Sequence, residues 1–234
     1  MQLFYNSEIH ETTEQFSFSK EESKHISKVL RKKVGDILHI TNGNGWLFEA
    51  EILIADIKNC VATIVFKELK TKRNYSLHLA VAPTKMNDRY EWFLEKATEI
   101  GIEEITPIIC DNSERKIVKL ERFEKIIQSA MKQSLQCYLP KLNAPISFKD
   151  FIRQDVLNNK FIAHCEDTNK KSLKSQLTNQ KDITILIGPE GDFSPKEIQL
   201  ALENNYIPVT LGDTRLRTET AAIVACHSVA FLNE

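Results

Sequence analysis

Long apolar runs are missing from this 234-residue sequence. No stretch approaches the roughly 18 consecutive apolar residues that a membrane-spanning helix needs. The opening MQLFYNSEIHETTEQF lacks both the basic start and the long apolar centre of a secretory signal, so a cytoplasmic protein is expected. Paired cysteines are missing too. Cys60, Cys110, Cys137, Cys165 and Cys226 are scattered, none stands in a CxxC pair, and the adjacent His164-Cys165 puts a histidine beside one of them without making a ligand set. They read as reduced, mostly buried thiols, and no metal is expected. Neither sign of charge dominates, with 31 Lys and Arg against 32 Asp and Glu, so any surface for nucleic acid has to be local. A P-loop lysine and the GxGxxG fingerprint are both absent, which removes the two commonest phosphate-cradling designs.

What is present is a chain that is 42% hydrophobic, long enough for one large domain or two modest ones. Up to Leu69 the pattern is short strands and one helix. Ser19 and Glu22 form a capping box ahead of a helix carrying Ile26, Val29 and Leu30 on one stripe, and Gly35-Asp36 stops it. Runs at Ile37 to Thr41, Trp46 to Ala55 and Cys60 to Leu69, with a turn at Asn42-Gly43-Asn44-Gly45, predict a small antiparallel barrel or sheet with a helix packed on it. The charged segment from Lys67 to Asn74 predicts a linker, dividing the chain into residues 1–72 and 73–234. Beyond it, strand-like runs at Leu77 to Ala82, Ile105 to Ile109, Phe161 to Ala163, Ile183 to Ile187 and Ile207 to Leu211 alternate with helical segments, which predicts an α/β domain with a mostly parallel sheet. The last helix, from Thr218 to about Leu232, is apolar around most of its circumference and is expected to be covered by the sheet or by a second subunit.

Two strand ends carry the chemistry. Ile187-Gly188-Pro189-Glu190-Gly191 leads into Ser194-Pro195-Lys196-Glu197, a helix start. In a parallel sheet such a turn brings backbone groups close to a ligand at the carboxyl ends of the strands, although a tight connection with unusual backbone angles would use the same glycines. The second end is Leu211-Gly212-Asp213-Thr214-Arg215-Leu216-Arg217-Thr218-Glu219-Thr220-Ala221. Two arginines beside a helix start suit an anionic partner, or else pair with Asp213 and Glu219. The two loops lie side by side if their strands are neighbours, and one pocket can then use both.

IGPEG (187 to 191) with LGDTRLRTETA (211 to 221), EKATEIGI (95 to 102) and KHISKVLRKKVGD (24 to 36) resembles the bacterial small-subunit rRNA uridine-N3 methyltransferases along nearly the whole chain. That resemblance implies a SPOUT-type α/β fold with a C-terminal trefoil knot, an N-terminal PUA-like β-barrel that binds RNA, a homodimer, and S-adenosylmethionine as cofactor. It also implies that Ile187, Gly188, Pro189, Gly191, Leu211, Gly212, Leu216, Arg217, Thr218 and Ala221 bind the cofactor, and that the substrate is 16S rRNA in the small ribosomal subunit. The chain departs from the family pattern at Asp192, where a second glycine is usual, at Thr214-Arg215, where Arg-Ile is usual, and at Lys132-Gln133, where Glu-Gln is often found. Aspartate tolerates left-handed backbone angles, so the turn is expected to survive.

A uracil imide nitrogen is a poor nucleophile until its proton leaves, so the site needs a proton acceptor or a cation for the resulting anion. Arg217 is the candidate for the cation. Glu190 is the candidate acceptor, or else a carboxylate that orients its loop. His164, at another strand end, either lines the site or is a packed residue. For RNA, Lys24, His25, Arg31 and Lys32 lie on a helix with six basic residues between Lys20 and Lys33. Two other readings share these features: a SPOUT enzyme acting at a different RNA position, and a non-catalytic RNA-binding protein on the same fold.

Overall fold

In the computed structural model the described residues are 1–154, 159–167, 169–177 and 181–233. The chain divides into two compact units, one of residues 1–72 with 131–139, the other of residues 73–130 with 140–234.

The first unit contains β1 (Leu3–Tyr5), β2 (Gln15–Ser17), α1 (Lys20–Lys24), β3 (Ile37–Thr41), β4 (Trp46–Ala55) and β5 (Cys60–Leu69). Its sheet runs β1-β3-β4-β5-β2 and is antiparallel except where β1 lies parallel to β3. Apolar residues at every second position of β3 and β4 bury Leu38, Ile40, Phe48, Ala50 and Ile52 around Phe4, Phe18 and Ile26. The segment 131–139 joins this unit by hydrogen bonds: Cys137 O accepts from Gly45 N (2.8 Å), and Leu139 N donates to Gly43 O (2.8 Å).

Two local expectations need correction. Ser19 caps α1, its hydroxyl accepting from Glu22 N at 3.2 Å, but the α-helix ends at Lys24 and residues His25–Val29 form a π turn. There Leu30 N reaches back five residues to His25 O, which rotates Val29 off the face that holds Ile26. Ile26 is fully buried and Val29 is 65% exposed. The expected linker begins too early, because Lys67, Glu68 and Leu69 pair with Phe48, Leu47 and Trp46 as the far end of the β4–β5 ribbon. The outer half of β5 faces solvent, so its side chains look like those of a loop.

The second unit contains β6 (Ser76–Val81), α2 (Asn87–Ile100), β7 (Glu104–Ile109), α3 (Leu120–Gln133, whose last turn belongs to the first unit), β8 (Lys141–Leu142), β9 (Ile146–Ser147), α4 (Phe148–Ile152), β10 (Asn159–Ala163), β11 (Lys171–Ser172), α5 (Leu173–Gln176), β12 (Asp182–Ile187), α6 (Pro195–Glu203), β13 (Ile207–Thr210) and α7 (Thr218–Asn233). The strands pair in parallel in the order β11-β13-β10-β12-β6-β7-β8, with β9 also on β7. Near-continuous apolar strands suit a sheet covered on both faces. Tyr90, Phe93, Leu94 and Ala97, the stripe expected on α2, are all buried. α7 buries one face, Ala222, Ala225, Cys226 and Val229, while Phe231 stays 66% exposed. The sheet side therefore covers less of α7 than its composition suggests.

A polar chain crosses the sheet among β6, β7 and the end of β8. His78 Nε2 lies 2.7 Å from Thr106 Oγ1, and Asn143 Nδ2 donates to Thr106 Oγ1 and to Glu104 Oε1, both at 2.7 Å. Burial holds the His78 imidazole below its ordinary value near 6.5, with Glu104 opposing and Lys141 adding to the effect. Burial works against ionised Glu104, but hydrogen bonds from Asn143 and Lys141 hold its carboxyl below the usual range. The unfolded chain therefore binds more protons than the folded one on the acid side of neutrality, and stability falls as pH drops below about 6.5, the unperturbed histidine value. Glu104 adds to the loss at lower pH. Melting curves are expected to show this decline for the native sequence and a shallower one for His78→Phe between pH 7 and 5. Equal slopes would remove His78 as the group responsible.

Candidate active site at the strand ends

Ala163 of β10 is level with Ile187 of β12 on one side and with Val209 of β13 on the other. β12 and β13 are thus not neighbours, the condition under which their loops would lie side by side, because β10 lies between them. The three loops still leave the sheet at the same height, at the carboxyl ends where parallel sheets place ligands. Two adjoining cavities result, of about 410 Å³ and about 290 Å³, sharing Ala163, Cys165, Arg215, Leu216 and Ala221. Leu211, Gly212, Asp213, Thr214, His164 and Lys170 line the first. Ile187, Gly188, Pro189, Glu190, Asp192, Arg217 and Thr218 line the second.

The loop after β12 is held from several directions. Asp192 N donates to Pro189 O (2.9 Å), closing a four-residue turn. A side chain at Gly188 would bring its Cβ within 3.1 Å of the Phe193 ring, so this glycine serves a close approach rather than an unusual backbone angle. The left-handed position is Asp192, at φ 62°, as expected for a residue type that tolerates it. Gly191 lies outside both cavity linings; its carbonyl accepts from Asn112 Nδ2 at 3.1 Å. The loop after β13 does need its glycine, since Gly212 sits at φ 142°. Thr218 Oγ1, at the start of α7, donates to Gly188 O (3.0 Å) and joins the two loops.

The charged candidates differ in their surroundings. Glu190 Oε1 accepts from Lys85 N (2.9 Å), so this carboxylate does orient its loop, with Oε2 left over. Arg215 and Arg217 are exposed and form no ion pair among the described residues. Glu219, an expected partner, is buried and faces Arg89 at 3.9 Å instead. His164 is buried, and neither ring nitrogen has a hydrogen-bond partner among the described residues. Burial and then Lys170 lower its pKa, against Asp192 and Glu166, which favours the neutral imidazole. In the first unit Lys24 and Arg31 are exposed, Lys32 is half-buried, and His25 packs edge-on against Phe4. Lys132 lies 3.4 Å from Glu22.

Sequence reading missed the loop after β7. Asn112 also donates to Asp192 O (3.1 Å), while Arg115 donates to Thr84 O (3.1 Å) and Lys85 O (2.7 Å). Glu197 does more than complete its capping box: Oε2 accepts from Ser194 N (2.8 Å) and Oε1 from Asp111 N (2.9 Å). The one available signal was the polar run Asp111-Asn112-Ser113-Glu114-Arg115 directly after a strand.

Comparison with known proteins places this geometry. A family model described as an RNA methyltransferase domain matches residues 71–230, and one described as an RNA methyltransferase PUA domain matches residues 18–65. Ribosomal RNA small subunit methyltransferase E of Buchnera aphidicola is 33% identical over 90% of this chain and 86% of its own. The crystal structure titled as a probable rRNA-methyltransferase from Porphyromonas gingivalis has a TM-score of 0.91 and 39% identity, covering 100% of this chain and 98% of that one. The ribosomal RNA small subunit methyltransferase E of Neisseria gonorrhoeae, solved bound to S-adenosyl methionine, has a TM-score of 0.87 and 26% identity, covering 99% and 98% of the two chains. With both units matched by a family model and relatives aligned along nearly its whole length, the chain belongs to the ribosomal RNA small subunit methyltransferase E family and has the SPOUT fold with a PUA-like N-terminal domain.

Proposed function

We propose that this protein methylates N3 of a specific uridine in 16S rRNA, with S-adenosylmethionine as the methyl donor. The observation that carries the reading is the convergence of the loops after β10, β12 and β13 on paired cavities lined by Arg217, which has no ion pair among the described residues, as well as apolar Ile187, Leu216 and Ala221. The lining fits the cofactor. Apolar side chains suit its adenine, backbone groups at Gly188 and Gly212 suit its polar edges, and Glu190 suits a cationic centre. Ile187, Gly188, Pro189, Leu211, Gly212, Leu216, Thr218 and Ala221 would hold it, with Gly191 acting through Asn112. When bound, S-adenosylmethionine supplies a methyl group activated by its sulfonium.

The chain's own residues have two tasks. The first is orientation, since an in-line displacement depends on holding the reactants at attack distance. The second is charge. Arg217 stabilises the uracil anion as N3 loses its proton, and Glu190 Oε2, the oxygen not engaged by Lys85, takes that proton. Residues 1–72 serve as the RNA-binding domain through Lys24, His25, Arg31 and Lys32, and residues 73–234 as the methyltransferase domain. The exposed end of α7 around Phe231 is the part of a homodimer interface this reading needs, the reading includes the trefoil knot of the SPOUT fold, and the place of action is the cytoplasm. Among the described residues no helix is long and apolar enough to cross a membrane.

Purified protein with S-adenosylmethionine and small subunits lacking the modification is expected to yield 3-methyluridine at one position of 16S rRNA by nuclease digestion and mass spectrometry. Methylation at another atom or in another RNA would replace this reading with a related SPOUT activity. No methylation of any RNA, together with no binding of the cofactor, would leave an RNA-binding protein.

A further inference from the structure

The parallel ladder between β10 and β12 ends at Ala163 and Ile187. Past that point one strand enters His164-Cys165 and the other enters Gly188-Pro189, and backbone pairing can no longer hold them together. Asp192 spans the gap. Its Oδ2 accepts from Cys165 N at 2.7 Å, and its Oδ1 accepts from Phe193 N at 2.9 Å. Cys165 and Asp192 both line the second cavity, so the bond joins two of its walls.

The opposite groups of the same β10 loop are held by a cation. Lys170 Nζ donates to His164 O (2.9 Å) and to Glu166 O (2.6 Å). Thus a carboxylate takes the loop's N–H and an ammonium takes its carbonyls. Both oxygens of Asp192 are engaged while its backbone stands at φ 62°, a left-handed conformation that aspartate adopts more readily than most side-chain-bearing residues but less freely than glycine. Glycine would hold that backbone without strain but would leave Cys165 N–H without an acceptor.

We propose that Asp192 is a positioning residue for the cofactor. It ties the end of β10 to the glycine loop so that both walls are set before a ligand enters, which lowers the ordering cost of binding. The inference rests on reading the cavity as the S-adenosylmethionine site. Its distinguishing feature is that the side chain accepts a hydrogen bond from Cys165 N in the left-handed position, so asparagine, whose single amide oxygen can keep that bond while giving up the local one from Phe193 N, should replace it for most of the effect and glycine should not.

Calorimetric titration with S-adenosylhomocysteine is expected to give about tenfold weaker binding for Asp192→Gly and less than about threefold for Asp192→Asn, the size of effect one charge-assisted hydrogen bond supports. KM for S-adenosylmethionine should rise in step, with kcat at saturation little changed, the pattern of lost uniform binding. Without any ligand, hydrogen exchange at the Cys165 amide should accelerate in Asp192→Gly and stay slow in Asp192→Asn. Native-like binding or unchanged Cys165 exchange in Asp192→Gly would overturn the inference, as would an Asp192→Asn protein as weak as the glycine variant. Absence of saturable heat with the native sequence would overturn the cofactor reading and this inference with it.

Discussion

Arg217→Ala is expected to lower the rate of rRNA methylation at saturating substrate by about 10²- to 10³-fold, the usual loss when a preorganised charge stabiliser is removed. The folded state should hardly notice. Arg217 is exposed and pairs with no carboxylate among the described residues, so its removal leaves no buried partner stranded. Surface changes of that kind stay within about 0.5 kcal/mol of the original stability. Arg217→Lys should recover only part of the rate, since a compact ammonium does not reproduce the planar fork that can address an oxygen beside N3. The decisive measurement combines single-turnover methyl transfer with a melting curve. A normal rate in a well-folded Arg217→Ala protein would remove the residue from the chemistry.

The largest expected loss of stability comes from Glu197→Ala. This side chain is buried, yet its two oxygens are both satisfied by backbone N–H groups, Ser194 in its own helix start and Asp111 in the loop after β7. It also stands in the first turn of α6, where the helix dipole favours an anion. Truncation leaves two part-buried backbone donors without their acceptor and should cost about 1–3 kcal/mol, a drop in melting temperature of roughly 2–12 °C for a chain of this size. Glu197→Gln keeps one acceptor and should fall between the two. If Glu197→Ala melts with the native protein, water has replaced the carboxylate and the loop after β7 is held by other bonds.

Legibility followed the range of the interactions. Strands β3, β4 and β5 begin and end where alternation and turn residues place them, because both signals are local to the strand. Pro195 opens α6 as its capping residues require, for the same reason. Val29 was misread because the pattern assumed an α-helical period, and the choice of a five-residue step is made by packing rather than by the run itself. At the site, Gly188, Leu216, Arg217 and Thr218 were recognisable from their motifs. Asn112, Arg115 and the second bond of Glu197 were not, since each joins segments far apart in the chain.

The sequence by itself determined the class of the protein: a parallel α/β unit following a small β unit, two motif-bearing strand ends, and a family resemblance spread along the whole chain. Composition and periodicity suffice there because burial patterns repeat within each element. Only the tertiary structure decided how the site is assembled. It put β10 between β12 and β13, so that the loops meet over Ala163. It gave the Glu190 carboxylate to a backbone N–H of Lys85 and, among the described residues, left Arg217 without an ion pair. Hydrogen bonds of a single group to a distant partner leave no period in the chain, and which donor a carboxylate meets is fixed only when the sheet order brings them within reach.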